Sequence, residues 1–465
     1  MRMKFNKSSQ LMLVSAASLL AAGLVTACGT LTVDFVFVTS SKAAGPNNYG
    51  VVDVFEINQQ SGFMRQIPTS PFPSGGRDPV AEAISTDQTN LYVLNQDDNS
   101  IVQFVIGNDG KVYPQNTVNT PGIFPLAVAV NGANLFVVDT YQPLAICSTA
   151  APCSGSVAVL PIAGPGSPSS DSLGSPVANG NLNYMPLCAT GYAPSFATTS
   201  NNIKIETFNC QGAESDVIVP TAINVLGSGS FVFVTAYDTT ASPNAGYIFA
   251  FAVAPPSTSA VPPGGACPTN SNTISAGTLP PGTLCPLING GLPFRGGVHP
   301  SAIASDSTGN YVYVTDLTSG QVLGYSTSSG VLTALTSGSN GTNQFPAGDQ
   351  PSAIVADPQY PFIYVANMQD STLTAYSMSS GALTSLGTYA TGLQPVAIGI
   401  DPSTNHFLYT ANYLANGVSG SVSGFELSPT AGTLLNSQNS PYNANAQPTA
   451  VAAIAHGSSP SSSSK

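Results

Sequence analysis

The sequence specifies an all-β chain folded as a seven-bladed β-propeller, and three observations lead there. A Pro-x-Ala triplet occurs seven times, at Pro79, Pro125, Pro220, Pro300, Pro351, Pro395 and Pro448. Six triplets are followed, about a dozen residues later, by a short aromatic and β-branched run: Leu91-Tyr-Val-Leu, Leu135-Phe-Val-Val, Phe231-Val-Phe-Val, Tyr311-Val-Tyr-Val, Phe362-Ile-Tyr-Val and Phe407-Leu-Tyr-Thr. The two ends are complementary, since the run Phe35-Val-Phe-Val has no triplet before it and Pro448 has no run after it. A C-terminal inner strand completing the first unit closes the ring, and four-stranded units repeated radially leave few exposed edges.

Taken in order, the chain opens with Arg2, Lys4 and Lys7, then an apolar stretch from Leu11 to Leu24 that ends in Val25-Thr26-Ala27-Cys28. That pattern reads as a secretory leader rather than a core helix, so residues 1–27 are excluded from the fold. The small residues before Cys28 resemble a bacterial lipobox, which implies that Cys28 is lipidated and becomes the mature N-terminus; ordinary cleavage is the alternative. Residues 28–34 are then a short tether, on the order of 20 Å when extended, that holds the domain close to a bilayer. Gly29, in place of aspartate, implies the outer membrane under the same resemblance. The expected location is the bacterial cell envelope, on the outer membrane or the periplasmic face.

The propeller is expected over residues 35–456, with long insertions at about 140–219 and 254–299, and the tail 457–465 is low-complexity and expected to be disordered. Setting Cys28 aside leaves six cysteines, an even number in an exported chain, which suggests three disulfides. Of the possible connectivities, sequence-neighbour pairing joins Cys147 to Cys153, Cys188 to Cys210 and Cys267 to Cys285. All six lie in the insertions, where proline-, serine- and glycine-rich loops bury too little apolar surface to offset their ordering entropy.

One repeat can be cut into strands by its turn signals. Ser301-Ala-Ile-Ala, Tyr311-Val-Tyr-Val, Gln321-Val-Leu-Gly-Tyr and Val331-Leu-Thr-Ala-Leu are separated by Asp306-Ser-Thr-Gly309, Asp316 to Gly320 and Ser328-Ser-Gly330. The second strand is apolar on both faces, as sandwiching between neighbouring blades requires. The first uses Ala and Ile, small enough to converge on a central channel, and the proline ends the connection entering it.

Composition excludes several classes of function. Removal of the leader takes the formal net charge from −12 to −15, with no run of Lys or Arg, so nucleic acid and anionic lipid are poor partners. Only 7% of the residues are charged, which leaves a surface built largely of Ser, Thr, Asn, Gln and Gly. No segment after the leader is long and apolar enough to span a membrane. Zinc motifs are missing, and His299, His406 and His456 are the only histidines. Gly164-Pro-Gly166 and Gly227-Ser-Gly229 are turns and not nucleotide loops, because no helical pattern follows either. Serine catalysis has no Gly-x-Ser-x-Gly to rest on.

Tyr311-Val-Tyr-Val-Thr-Asp and Phe362-Ile-Tyr-Val-Ala-Asn, each following a Pro-x-Ala strand, resemble the YVTN-type propellers and, more broadly, the lactonase-like seven-bladed family that includes 6-phosphogluconolactonases. The resemblance implies the fold over roughly residues 31–456. It also implies where catalysis would be found: histidine in Pro-x-His, and glutamate after the asparagine that ends the second strand. Here those positions hold Ala81, Ala127, Ala222, Ala302, Ala353, Ala397 and Ala450, with Met368 after Asn367 and Leu317 after Asp316. The family's catalytic pattern is therefore expected to be lost.

In a propeller, the loop entering the inner strand and the loop leaving the second strand share one face. That face is expected to gather Arg77, Asp78, Arg295, His299 and Asp349 from the entering loops. From the others come Asn95, Asp97, Asp98, Asp139, Asp238, Asp316, Asn367, Asp370 and Asn412. Such an acidic funnel with two arginines can hold a structural cation, a sugar or a cationic peptide, although Asn and Asp also cap turns with their own side chains. No cofactor motif is present, and the absence of tryptophan argues against quinone-cofactor propellers. His299 with Arg295 is the best pairing for hydrolysis, as a general base beside a cation for the oxyanion. The sequence thus points to a lipid-anchored binding or scaffold module with a protein, glycan or small-molecule ligand on the loop face, and to a lactonase-like hydrolase as the alternative.

Overall fold

The computed structural model describes residues 33–42, 48–58, 61–164, 172–179, 182–198, 204–210, 216–255, 280–287, 292–402, 407–415 and 419–455. The leader, Cys28, Cys267, His406, His456 and the tail lie outside the described residues. Seven antiparallel sheets of four or five strands follow one another along the chain, accompanied by a two-stranded hairpin, Tyr192–Thr198 with Lys204–Cys210. Each inner strand packs against the inner strands of its two neighbours, which closes the sheets into a ring.

Closure is made by the two ends of the chain. Gln447–Ile454 is the inner strand of blade 1 and pairs with Val33–Ser41, aligning Phe35 with Ile454 and Val38 with Val451. Blade 2 then begins at Pro79–Ile84 and blade 3 at Ile123–Asn131. Blades 4 to 7 begin at Ile218–Val225, Pro300–Ser305, Pro351–Ala356 and Leu393–Ile400.

The core is divided into seven seams, one for each pair of adjacent blades. Between blades 5 and 6, for example, Tyr313 and Val322 meet Ile363, Val365 and Tyr376. The second strands, apolar on both faces, supply two seams each: Tyr364 and Ala366 face blade 7 while Ile363 and Val365 face blade 5. The Ala and Ile residues of the inner strands do more than bound a channel, since Ala353 and Ile354 belong to the seams on opposite sides of blade 6.

The triplet proline is not the end of a connection but part of the ladder. Pro351 pairs with Asn367 and Ala353 with Ala366, so that Ser352 is skipped as a β-bulge. The same skip occurs at the middle residue of all seven triplets. A bulge tolerates proline because one ladder position is given up there, and it turns the skipped side chain out of the normal alternation. In three blades that side chain is a hydroxyl donating to the proline carbonyl of the next blade: Thr449 to Pro79 at 2.8 Å, Ser301 to Pro351 at 2.5 Å and Ser352 to Pro395 at 2.7 Å.

Two disulfides secure the first insertion, Cys147–Cys153 and Cys188–Cys210, as neighbour pairing gives. Cys285 is also disulfide-bonded, and the Cys267 assigned to it lies outside the described residues.

Candidate functional site

The mouth of the channel on the loop face is ringed by the seven residues that immediately precede the triplets: Asp78, Phe124, Val219, His299, Gln350, Gln394 and Gln447. Four of them, Asp78, Phe124, Gln350 and Gln394, have φ between 48° and 56°. Left-handed backbone in a non-glycine residue costs of order 1 kcal/mol or more, so the surrounding loops must hold these positions in place. Phe124 shows how: its N–H donates to Asn99 Oδ1 at 2.7 Å and its carbonyl accepts from Thr140 Oγ1 at 2.7 Å. At Gln350 and at His299 the carbonyl takes the N–H of the residue just past the second strand, Met368 and Leu317.

The ring has two unlike arcs, and between them stands the half-buried Asp78 of blade 2, whose carboxyl is raised by burial first and by Asp97 second. Across blades 3 to 5 it is aromatic: Phe124 meets Tyr141 edge to face with centroids 6.1 Å apart, and His299 lies 4.0 Å from Tyr237. Tyr141 is also close enough to Tyr237 to raise its phenol further, after burial, the larger cause. Across blades 6, 7 and 1 the ring carries three neutral amides, Gln350, Gln394 and Gln447, all half-buried.

The acidic funnel does not form as an open surface, because its inner carboxylates are turned into loop caps. Asp139 is fully buried and accepts the N–H of Gly122 at 3.0 Å; burial pushes its carboxyl up to about 7 despite that bond. Asp316 is 2% exposed and accepts the N–H groups of Val298 at 2.9 Å and His299 at 3.1 Å. Asp238 is likewise buried and binds Thr240 through both its N–H, at 2.8 Å, and its hydroxyl, at 2.6 Å. Asn95, Asn367 and Asn412 are buried as well. The reason is the ladder: Asn95, Asp139, Asp316, Asn367 and Asn412 each stand opposite a triplet proline, where the entering loop folds over them, whereas Asp238 is offset and pairs with Ile218.

The outer members of the expected face are more open. Asp97, Asp349 and Asp370 are exposed, with Asp370 accepting the N–H of Asp349 at 2.7 Å. Arg77 is committed to Asp98, whose carboxylate accepts its N–H and its Nε, both at 2.7 Å. Burial opposes ionisation of Asp98, yet the Arg77 bonds outweigh it and hold the carboxyl below its ordinary range.

His299 and Arg295 rest on different tyrosines. The His299 ring is half-buried on Tyr237, and burial lowers its pKa while Asp316 works in the opposite direction. Arg295 is exposed, with its guanidinium carbon 5.2 Å from the centre of Tyr247. Among the described residues, no three His, Cys, Asp or Glu side chains come together as a metal-binding group. The repeat pattern does not mark the tyrosines of the aromatic arc; their signal in the sequence is an aromatic residue within two positions of the second-strand Asp, at Tyr141 and Tyr237.

Residues 285–452 match the family model described as lactonase, seven-bladed β-propeller. Among solved structures, the chain is similar to a putative 6-phosphogluconolactonase from Bacteroides fragilis, with a TM-score of 0.59 and 16% identity, over 92% of this chain and 99% of that one. It is also similar to the periplasmic gluconolactonase of Pseudomonas aeruginosa, with a TM-score of 0.58 and 17% identity, over 91% of this chain and 99% of that one. No curated protein matches the sequence.

Proposed function

We propose that this seven-bladed, lactonase-like propeller is a binding module whose ligand sits at the mouth of the channel on the loop face. The observation that supports the reading is the content of the mouth ring: one aromatic arc, one arc of neutral amides, the half-buried carboxyl of Asp78, and a single histidine that packs on Tyr237 rather than on a free carboxylate. General acid–base catalysis needs a base within reach of the proton it moves and a partner to hold it, and Asp316 is spent on the backbone of that same loop. The module is held at the cell envelope through lipid on Cys28, with the tether placing it beside a membrane and leaving the loop face for its ligand.

The second reading is hydrolysis of a lactone, favoured by the family match over residues 285–452. One preparation tests both. The Cys28→Ala chain should appear in the soluble fraction without incorporating a palmitate analogue, and should show no turnover across a panel of sugar lactones that includes 6-phosphogluconolactone. Turnover abolished by His299→Ala or Arg295→Ala replaces the binding reading with the hydrolase, since losing one such group typically costs about a hundredfold or more.

A further inference from the structure

A cleft of about 340 Å³ opens between blades 4 and 5, lined by none of the residues that ring the mouth, although Gly297 belongs to the loop that enters at His299. Its floor is apolar and buried, formed by Phe294 of blade 4 and by Leu323 and Leu332 of blade 5. Its rim is polar, with Arg295, Asn343 and Gln344. A volume of a few hundred Å³, with an apolar base and a few polar groups at one side, is the ordinary form of a small-molecule site.

Arg295 gives the cleft its chemistry. Arg65, Arg77 and Lys111 each hold a carboxylate, Glu56, Asp98 and Asp109 respectively, whereas Arg295 has no carboxylate within ion-pair distance among the described residues. One face of its guanidinium rests on Tyr247, which leaves its planar N–H fork for another partner. The strand carrying it is fixed: Tyr325 donates its hydroxyl to the Arg295 carbonyl at 2.7 Å, and burial keeps that phenol neutral, with a side-chain hydrogen bond to Asn343. The arginine, the amide and the apolar floor are thus held together by one buried tyrosine.

We propose that this cleft binds a small amphiphilic carboxylate, with the anion on Arg295 and the apolar part on Phe294, Leu323 and Leu332. The two halves are needed together. In a chain of net charge −12 an anion gains nothing from the long-range field, so the apolar floor must supply affinity that the exposed arginine alone does not. The planar fork in turn selects carboxylate over a neutral head group.

The test is calorimetric titration of the purified propeller with 4-phenylbutyrate and, separately, with the amide of the same acid. A ligand of this size should bind with Kd on the order of 1 mM, and the amide about tenfold more weakly. Arg295→Gln should remove the difference between the two. Ala334→Phe, at an exposed position lining the cleft, should fill it and abolish binding of both at an unchanged melting temperature. His299→Ala, in the mouth, should change neither. The proposal is overturned if the wild-type protein binds neither probe, if Arg295→Gln still prefers the acid, or if Ala334→Phe binds as the wild type does.

Discussion

Glu82 is where a single residue breaks the repeat. It occupies the position after the triplet, at which the six other blades have Val128, Ile223, Ile303, Ile354, Ile398 and Val451. Its carboxyl is sealed in the seam between blades 2 and 1, accepting from Thr39 Oγ1 at 2.5 Å and from the backbone of Ala452, while Oε1 is buried with no partner. Burial lifts the group to about 8, against the pull of those bonds. The folded state therefore keeps a proton that the unfolded chain has already released, and stability should fall as pH rises from about 4.5 to about 8, by up to about 1.4 kcal/mol per pH unit. Asp139, raised to about 7, adds a slope of the same sign that ends sooner. Glu82→Gln should flatten the dependence, most clearly between pH 7 and 8, in urea unfolding at a series of pH values. An unchanged slope in the variant would contradict this account of Glu82.

At the level of elements, blades 5 and 6 are each fastened to the next blade through a glycine turn. Tyr313 donates its hydroxyl to the carbonyl of Gly381 at 2.9 Å, and Tyr364 to that of Gly432 at 3.2 Å, so a buried tyrosine of one second strand reaches the outer turn of the following blade. Gly432 has φ +67°, and a Cβ there would lie 2.4 Å from Cδ1 of Phe362. Gly309, with φ +69°, has nothing within 4 Å of the same position. Gly309→Ala should thus lose about 1 kcal/mol through backbone strain alone, whereas Gly432→Ala should lose roughly 2–4 kcal/mol by adding a clash in the seam. Chemical denaturation of the pair measures the difference. Equal losses would show that the seam yields to the methyl group.

Across the whole molecule, closure depends on a strand that comes last in sequence and sits first in space. Without Gln447–Ile454, Val33–Ser41 loses its pairing along one edge, and the seam shared with blade 7 loses Val451 and Ala453. Because the seven seams form one continuous circuit, deleting residues 446–465 should abolish cooperative unfolding rather than lower its midpoint. A sharp transition in the truncated chain, followed by far-UV and near-UV circular dichroism together, would argue against a closed circuit.

The blade number, the strand order within a blade and the closing strand were all legible in the sequence, because they follow from local periodicity and from a pattern repeated seven times. Two of the neighbour disulfides, Cys147–Cys153 and Cys188–Cys210, were legible for the same reason of proximity along the chain. What a polar residue does once it reaches the loop face was not. Asp139 and Asp316 look the same as Asp349 and Asp370 in sequence, yet the first two stand opposite a triplet proline under a folded loop and the others are at or beyond its rim. The cleft at Arg295 is formed where two blades meet, from residues up to 50 positions apart, between Phe294 and Gln344. Periodicity fixes which face of a strand is apolar, while burial and partnership of a polar group depend on which distant loop closes over it, and only the assembled ring decides that.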